Sequence, residues 1–291
     1  MTYLLQQMLN GLQLGSIYAL IALGYTMVYG ILQMINFAHG DLFMVGAFAL
    51  LIAASVLGLP FVPSLMLAMV ATAALGVLIE RLAYRPLRRA PRVSAIITAL
   101  GVGLFLENLV NALSPYPKHV PALLSNRIWA PAGVTISSIQ IWIIVLAGIL
   151  VLGLDILVHR TKVGMAMRAI SWDRATAPLM GVPVDAIISL TFGIGAALGA
   201  AAGVFYALAY PIIDPYMGVM VGWKAFISAV VGGIGSIRGA VLGGLILGAV
   251  EILVAAFLPS TGRDLVAFAL LLVLLVLRPH GILGRPRPVK A

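Results

Sequence analysis

The sequence predicts an all-α, polytopic integral membrane protein with about eight transmembrane helices and interrupted or re-entrant segments near residues 33–41 and 219–239. Two observations lead to this fold class. Of the 291 residues, 62% are hydrophobic and only 9% are charged, and the mean hydropathy is +1.12. Soluble domains average roughly 25% charged residues, so the composition excludes a soluble enzyme, a disordered chain and a coiled coil. Residues 1–291 are expected to form a single transmembrane domain.

Charge-free stretches mark the predicted spans, and prolines divide the stretches that are too long for one crossing. In the first half the spans are Leu9–Ile31, two spans within residues 42–79 separated by Pro60 and Pro63, and a short span over Val93–Leu106. In the second half they are Ile139–Val158, Ala186–Tyr210, a half-span over Val219–Val231, Ala240–Leu258 and a short last span over Leu265–Leu277.

Positive charges predict which connecting segments are cytoplasmic, because cytoplasmic loops carry an excess of Lys and Arg. Residues 80–92 contain five arginines, and residues 159–185 and 278–291 are also basic. We therefore expect these segments inside and the proline-rich loop 114–138 outside. Counting the crossings back from residue 80 places the N-terminus outside.

The chain lacks the residue patterns of a catalyst. It has no cysteine and four histidines, none of them spaced three or four residues from another, so no metal site is expected. The phosphate-binding pattern G-x-x-x-x-G-K-[ST] is absent, as are the motifs of serine hydrolases and zinc proteases. The formal charge of +9 is attributed to cytoplasmic loops, and nucleic-acid binding is not expected.

The first candidate site is the polar break between the first two spans. Polar groups within the hydrocarbon layer are costly unless they are paired or face water, so this break is a candidate part of a substrate path. The alternative is an ordinary turn in which an aspartate occupies the first turn of the next helix. The candidate residues are Asn36, His39, Gly40 and Asp41.

The second candidate site is a glycine-rich segment that follows the predicted half-span. It is either an unwound stretch whose backbone faces a substrate, or a place where helices pack closely through small residues. The candidate residues are Gly232, Gly233, Gly235 and Ser236. Because both candidate segments interrupt apolar stretches, we expect them to face each other or a common cavity near the membrane interior. Lys224 and Glu251 are each expected to take part in an interior ion pair or to occupy a snorkelling position near an interface.

The third feature is the basic loop 159–185. Residues 161–172 contain good helix formers and place Met165, Met167 and Ile170 on a short helix. Such a helix can lie on the bilayer or dock on a soluble partner. A solvated loop that only sets topology is the alternative.

Four motifs give the chain a family resemblance. They are GYTMVYG at 24–30 followed by MINFAHGD at 34–41, TKVGMAMRAI at 161–170, AVVGGIGS at 229–236 and GILGR at 281–285. In this order and spacing they resemble the branched-chain amino acid permease family of ATP-binding-cassette (ABC) transporters, in particular its shorter, H-type membrane subunit. The likeness covers essentially the whole chain. Trp172 and Arg238 depart from the residues expected in relatives.

The resemblance implies a subunit of an importer in the bacterial inner membrane that translocates leucine, isoleucine and valine. Implied partners are a second, longer permease subunit, two ATPase subunits that use ATP, a periplasmic substrate-binding protein and membrane lipid. This chain itself would bind no cofactor. The resemblance makes 159–185 the loop that couples to the ATPase, with candidate residues Gly164, Met165, Arg168, Asp173, Arg174 and Gly181.

Two alternatives stay open. The same architecture imports urea or short amides in other members of the family. An ion-coupled secondary transporter acting alone would need an acidic coupling site, for which Asp41, Glu107 and Glu251 are the candidates.

Overall fold

The computed structural model describes residues 2–130, 133–259 and 262–284. Residues 285–291, the end of the predicted cytoplasmic tail and of the GILGR motif, lie outside the described residues, as do residues 131–132 of the predicted outer loop. The described chain is mainly helical. Its α-helices are α1 (Thr2–Leu32), α2 (His39–Ser55), α3 (Phe61–Ile79), α4 (Arg92–Leu113), α5 (Ser138–Arg160), α6 (Lys162–Trp172), α7 (Val184–Ala209), α8 (Met217–Gly232), α9 (Ile237–Phe257) and α10 (Gly262–Leu277).

Short irregular helices and strands connect the long helices. A π-helical turn, Glu80–Tyr84, extends α3, and 3-10 turns occupy Pro86–Arg89 and Ala177–Met180. The strands are β1 (Lys118–His119), β2 (Ile128–Trp129), β3 (Ile136–Ser137) and β4 (Ile212–Ile213). β1 pairs antiparallel with β4, and β2 pairs antiparallel with β3.

The helices confirm the predicted fold class. Among the described residues, six helices are long and apolar enough to cross a membrane by length and composition, while α2 and α8 are shorter apolar helices. The first predicted span was too short. α1 begins at Thr2 because the early polar side chains Gln6 and Asn10 hydrogen-bond within the helix and do not end it. α4 continues to Leu113 past the polar residues that follow Leu106.

The bundle has a buried centre and an apolar periphery. Within an 18-residue apolar stretch of each helix, the buried share is 89% in α1 and 83% in α7. In α4 and α5 it is only 22%. α1 and α7 therefore form the core of the chain, and α4 and α5 present apolar side chains outward. Glycines bring α1 against α9, since a Cβ at Gly15 would lie 2.8 Å from the Cα of Leu245. Close backbone approach through small residues is typical of helix packing in membranes.

Contacts between loops show which helix ends share a side. The amide of Gln6 donates to the carbonyl oxygen of Thr135 at 3.0 Å and accepts from the Thr135 N–H at 2.7 Å. The β1–β4 pair joins loop 114–138 to the α7–α8 connection. The N-terminus of α1 and both connections thus lie on one side, as the parity of the crossings requires. The arginine-rich turn binds the start of α7 through Arg85 and Asp185 at 2.5 Å.

Candidate functional site

The interruption predicted near residues 33–41 is present between α1 and α2. Gln33 has a φ of 55°, which is uncommon for a residue other than glycine, and α2 begins at His39. The start of α2 is buried inside the bundle, where a Cβ added to Gly40 would lie 2.9 Å from the Cα of Gly222 on α8. The chain therefore returns from the end of α1 to begin its second helix between other helices.

The polar side chains of this break have partners within the chain. The Tyr84 hydroxyl donates to the Asn36 side-chain oxygen at 2.6 Å, and the Asp41 carboxyl group packs against α4, where a Cβ added to Gly103 would lie 2.5 Å from Asp41 Oδ2. The His39 ring lies 4.8 Å from that of Tyr25, and its Nε2 has no hydrogen-bond partner. The segment thus fastens α2 to the π-helical turn and to α4, and the first-turn position predicted for Asp41 is confirmed.

The glycine-rich segment forms a tight hairpin between α8 and α9. Gly233 and Gly235 have φ values of 110° and 92°, which glycine adopts without strain. The Ser236 hydroxyl caps α9 by accepting from the Gly239 N–H at 3.1 Å. The unwound stretch and the close helix packing are thus both present, at different residues, and exposure of the unwound backbone to a substrate stays a prediction. Gly233–Ser236 is non-helical, whereas Gly232 packs on Gly239, where a Cβ would overlap its carbonyl group.

The C-terminal segment packs against the hairpin. The N–H groups of Ile282 and Leu283 donate to the carbonyl oxygens of Val231 and Gly232, both at 2.9 Å. A Cβ at Gly233 would lie 2.7 Å from the Cα of Gly284. The turn of the hairpin is thus fixed by contacts with the first turn of α9 and with the residues that follow α10.

A cavity of about 690 Å³ lies beside this hairpin. It is lined by residues of α1, the end of α5, α6, the hairpin and the C-terminal segment, including Gly235 and Ser236. Neither Asn36 nor His39, Gly40 or Asp41 lines it. This cavity therefore does not join the two interrupted segments, because residues 33–38 direct His39 inward between α1, α7 and α8. That the segments face each other or a different common cavity stays a prediction.

The basic loop contains the predicted amphipathic helix, α6. Thr161 caps it by accepting from the Gly164 N–H at 3.1 Å and donates its own hydroxyl to Leu157 at 2.6 Å. Gly164 packs on the last turn of α5, where a Cβ would overlap the carbonyl oxygen of Val158. The Arg168 guanidinium donates to that same oxygen.

These contacts correct the interpretation of several α6 residues as docking residues. Gly164 is buried and Met167 is only 3% exposed, so both face this chain. Arg168 is engaged by α5 and does not point freely toward a partner. Met165, by contrast, is 62% exposed and remains available for an external contact.

The rest of the loop turns sharply. The Asp173 Oδ1 accepts from the N–H of Ala175 at 2.9 Å, and Gly181, with a φ of 75°, ends the 3-10 turn. Burial lowers the pKa of Arg174, and the nearby Arg88 lowers it further. Three further apolar side chains of the loop are strongly exposed, a feature that sequence reasoning did not select although apolar residues in a polar loop could have indicated it. They are Trp172 (74%), Leu179 (83%) and Met180 (84%).

Of the two roles expected for Lys224 and Glu251, the interior ion pair is the one observed. The Lys224 Nζ lies 2.7 Å from Glu251 Oε1 and 2.8 Å from Asp264 Oδ1. The Tyr18 hydroxyl donates to Glu251 at 2.7 Å. This network joins α1, α8, α9 and α10. No group of three or more metal-ligating side chains occurs among the described residues.

Comparison with known proteins gives a consistent result. Residues 7–276 match the family model described as the permease component of the branched-chain amino acid transport system. The chain is 46% identical to the high-affinity branched-chain amino acid transport permease BraD of Pseudomonas aeruginosa, over 98% of this chain and 97% of that protein. It is 44% identical to LivH of Escherichia coli K12, over 99% and 98%. It is 29% identical to a probable LivH of Methanocaldococcus jannaschii, over 91% and 88%.

Proposed function

The chain belongs to the permease family of branched-chain amino acid transport systems, and from this premise we propose that it is a membrane-spanning subunit of an ABC importer for leucine, isoleucine and valine. It is a multi-pass membrane protein of a multi-subunit system. In this proposal its location is the bacterial inner membrane. Its partners are a longer permease subunit, two ATPase subunits that use ATP, and a periplasmic binding protein that delivers the amino acid.

The observation that carries the proposal is the identity of 44–46% to named branched-chain amino acid permeases over nearly the whole chain. The chain has no phosphate-binding loop of the G-x-x-x-x-G-K-[ST] type, so in this proposal ATP hydrolysis belongs to separate subunits. The helices described above form the translocation pathway in this proposal. The conformational change driven by ATP hydrolysis must reach them through a contact on the cytoplasmic side.

α6 is the proposed contact with an ATPase subunit. Its outward side chain, Met165, is exposed, and an exposed methionine is suited to an apolar groove on a partner. Its inward face is fastened to α5 through Arg168 and to α1 through the Ser171 hydroxyl, which donates to the Gly30 carbonyl at 2.6 Å. A displacement of α6 would therefore move the inner ends of both helices.

Met165 offers a test of this contact that leaves the internal packing intact. Met165→Asp should reduce copurification of the ATPase subunit and leucine uptake, because a charge would enter an apolar interface. Met165→Leu should preserve both. The permease should insert and purify at the wild-type level in either variant. Normal ATPase association in Met165→Asp would refute docking through this side chain.

The substrate class is tested with the purified complex in proteoliposomes. ATP hydrolysis and uptake should rise with leucine, isoleucine or valine bound to the binding protein, and not with urea or short amides. If urea alone raises ATP hydrolysis and uptake, the substrate is urea and not a branched-chain amino acid. Uptake that persists without the ATPase subunits would favour an ion-coupled transporter, for which Asp41, Glu107 and Glu251 are the candidate coupling residues.

A further inference from the structure

We propose that the cavity beside the α8–α9 hairpin binds the carboxylate of the transported amino acid on the cytoplasmic side, as the amino acid leaves the permease. The inference rests on the proposed function. It assigns a binding site to the hairpin, one of the two interrupted segments, and not to the polar break before α2.

The electrostatics of the cavity favour an anion. Arg238 lies in the first turn of α9, where the helix dipole already concentrates positive charge and an additional cation is unfavourable. Its guanidinium has no hydrogen-bond or ion-pair partner among the described residues. Arg168, whose guanidinium also donates to the Val158 carbonyl oxygen, lines the same cavity, and no aspartate or glutamate of the described residues does so. Two arginines thus face one space without a counter-ion.

The start of α9 provides backbone donors for the same ligand. The first N–H groups of a helix have no partner within the helix, and helix N-termini commonly bind carboxylates and phosphates. The Ser236 hydroxyl satisfies the N–H of Gly239, which leaves the N–H groups of Ile237 and Arg238 outside that cap. They belong to residues that line the cavity.

A buried hydroxyl gives an independent indication of a ligand. Thr26 of α1 lines the cavity and is 2% exposed, and its Oγ1 has no hydrogen-bond partner among the described residues. A buried polar group without a partner loses its hydrogen bonds to water without replacement, so such groups are rarely left unpaired. A carboxylate in the cavity would accept a hydrogen bond from this hydroxyl.

The size and walls of the cavity fit an amino acid with an apolar side chain. Its volume of about 690 Å³ lies within the range of roughly 300–1,000 Å³ typical of small-molecule sites. Met27, Ile31 and Ile234 contribute apolar wall. Because no acidic side chain lines the space, the ammonium group would remain in the open mouth. The carboxylate is therefore the group that the site recognises.

Thiol protection tests the site without requiring transport. The sequence has no cysteine, so Leu283→Cys places a single thiol of this chain at the cavity wall, where Leu283 is 41% exposed. We would label the nucleotide-free complex in nanodiscs with a maleimide and read modification of this subunit. Leucine and its 2-oxo acid, 4-methyl-2-oxopentanoate, should slow labelling. Leucinamide, which lacks the carboxylate, should not.

Variants identify the groups that hold the carboxylate. In the Leu283→Cys background, Arg238→Gln should raise the leucine concentration for half-protection by about tenfold or more. Arg160→Gln is the matched control, because Arg160 is an exposed arginine of the same region that does not line the cavity. Thr26→Val should weaken protection severalfold, and Thr26→Ser should retain it.

Each remaining outcome is decisive. Equal protection by leucinamide, or unchanged protection in Arg238→Gln, would overturn the proposal. Protection by inorganic phosphate as strong as that by leucine would show an anion site without preference for an amino acid, and would also overturn it. Leucine-stimulated uptake without protection would reject this site alone, whereas absence of both uptake and ATPase stimulation with leucine would reject the proposed function.

Discussion

Arg88 and Arg85 provide a sharp test of how the arginine-rich turn contributes to stability. Both bind Asp185, at 2.5 Å in each case, and Asp185 is half-exposed. Only Arg88 also pairs with Glu80, whose side chain is completely buried. Replacing either arginine with glutamine removes one positive charge from the same loop, so any effect on membrane topology is matched between the two variants.

The expected magnitudes differ because the partners differ in burial. Arg88→Gln leaves the buried Glu80 carboxylate with the Ser189 hydroxyl, at 2.5 Å, as its remaining described hydrogen-bond partner. Removing one member of a buried ion pair costs about 3–5 kcal/mol. Arg85→Gln removes an exposed pair, which is worth about 0–1 kcal/mol. We therefore expect a difference of at least about 2 kcal/mol between the variants.

The measurement is the free energy of unfolding of the purified permease in mixed micelles, followed by tryptophan fluorescence during titration with SDS. The double variant Glu80→Gln/Arg88→Gln should regain part of the loss, because no unpaired charge remains buried. A difference below about 1 kcal/mol between Arg88→Gln and Arg85→Gln would refute the reasoning.

Three further predictions follow from the structure. Lys224→Met leaves a buried carboxylate without its cation and should lower the free energy of unfolding by about 3–5 kcal/mol, whereas Lys118→Met, on an exposed strand, should change it by less than about 0.5 kcal/mol. Gly243→Ala should reduce the yield of monodisperse protein, because its Cβ would overlap an α8 carbonyl group, while Gly153→Ala, with open space around it, should not. In intact cells an impermeant maleimide should label Lys118→Cys but not Arg174→Cys, which should react only after permeabilisation. Labelling of position 174 from outside would contradict the assigned topology.

Hydropathy and charge predicted the helices well because both report directly on the cost of placing residues in lipid. They also predicted the break before His39, and an interior ion pair or an interfacial position for Lys224 and Glu251, since an unpaired charge is disfavoured in the membrane. The same reasoning assigned the arginines of residues 80–92 to topology alone. It did not anticipate the buried Arg88–Glu80 pair, because sequence does not show which arginine faces a neighbouring helix.

The positions of the candidate residues were harder to predict for a related reason. α1 is apolar on nearly every side, and a helix without a polar face gives no periodicity that selects its neighbours. Which helices meet depends on matching small residues, such as Gly15 against Leu245, and this matching is not evident from a single sequence. The separation of Asn36 and Asp41 from the hairpin cavity follows from those contacts.

α6 connects the two proposals physically. Arg168 and Ser171 line the cavity and also bind the inner ends of α5 and α1. A partner that moves α6 must therefore change the shape of the cavity or break these hydrogen bonds. It also follows that Arg168→Glu cannot test docking by itself, because it would disturb the α5 contact and the cavity together. Met165 is exposed and belongs neither to the α5 contact nor to the cavity. Its substitution therefore tests docking of the ATPase subunit without disturbing the internal contacts.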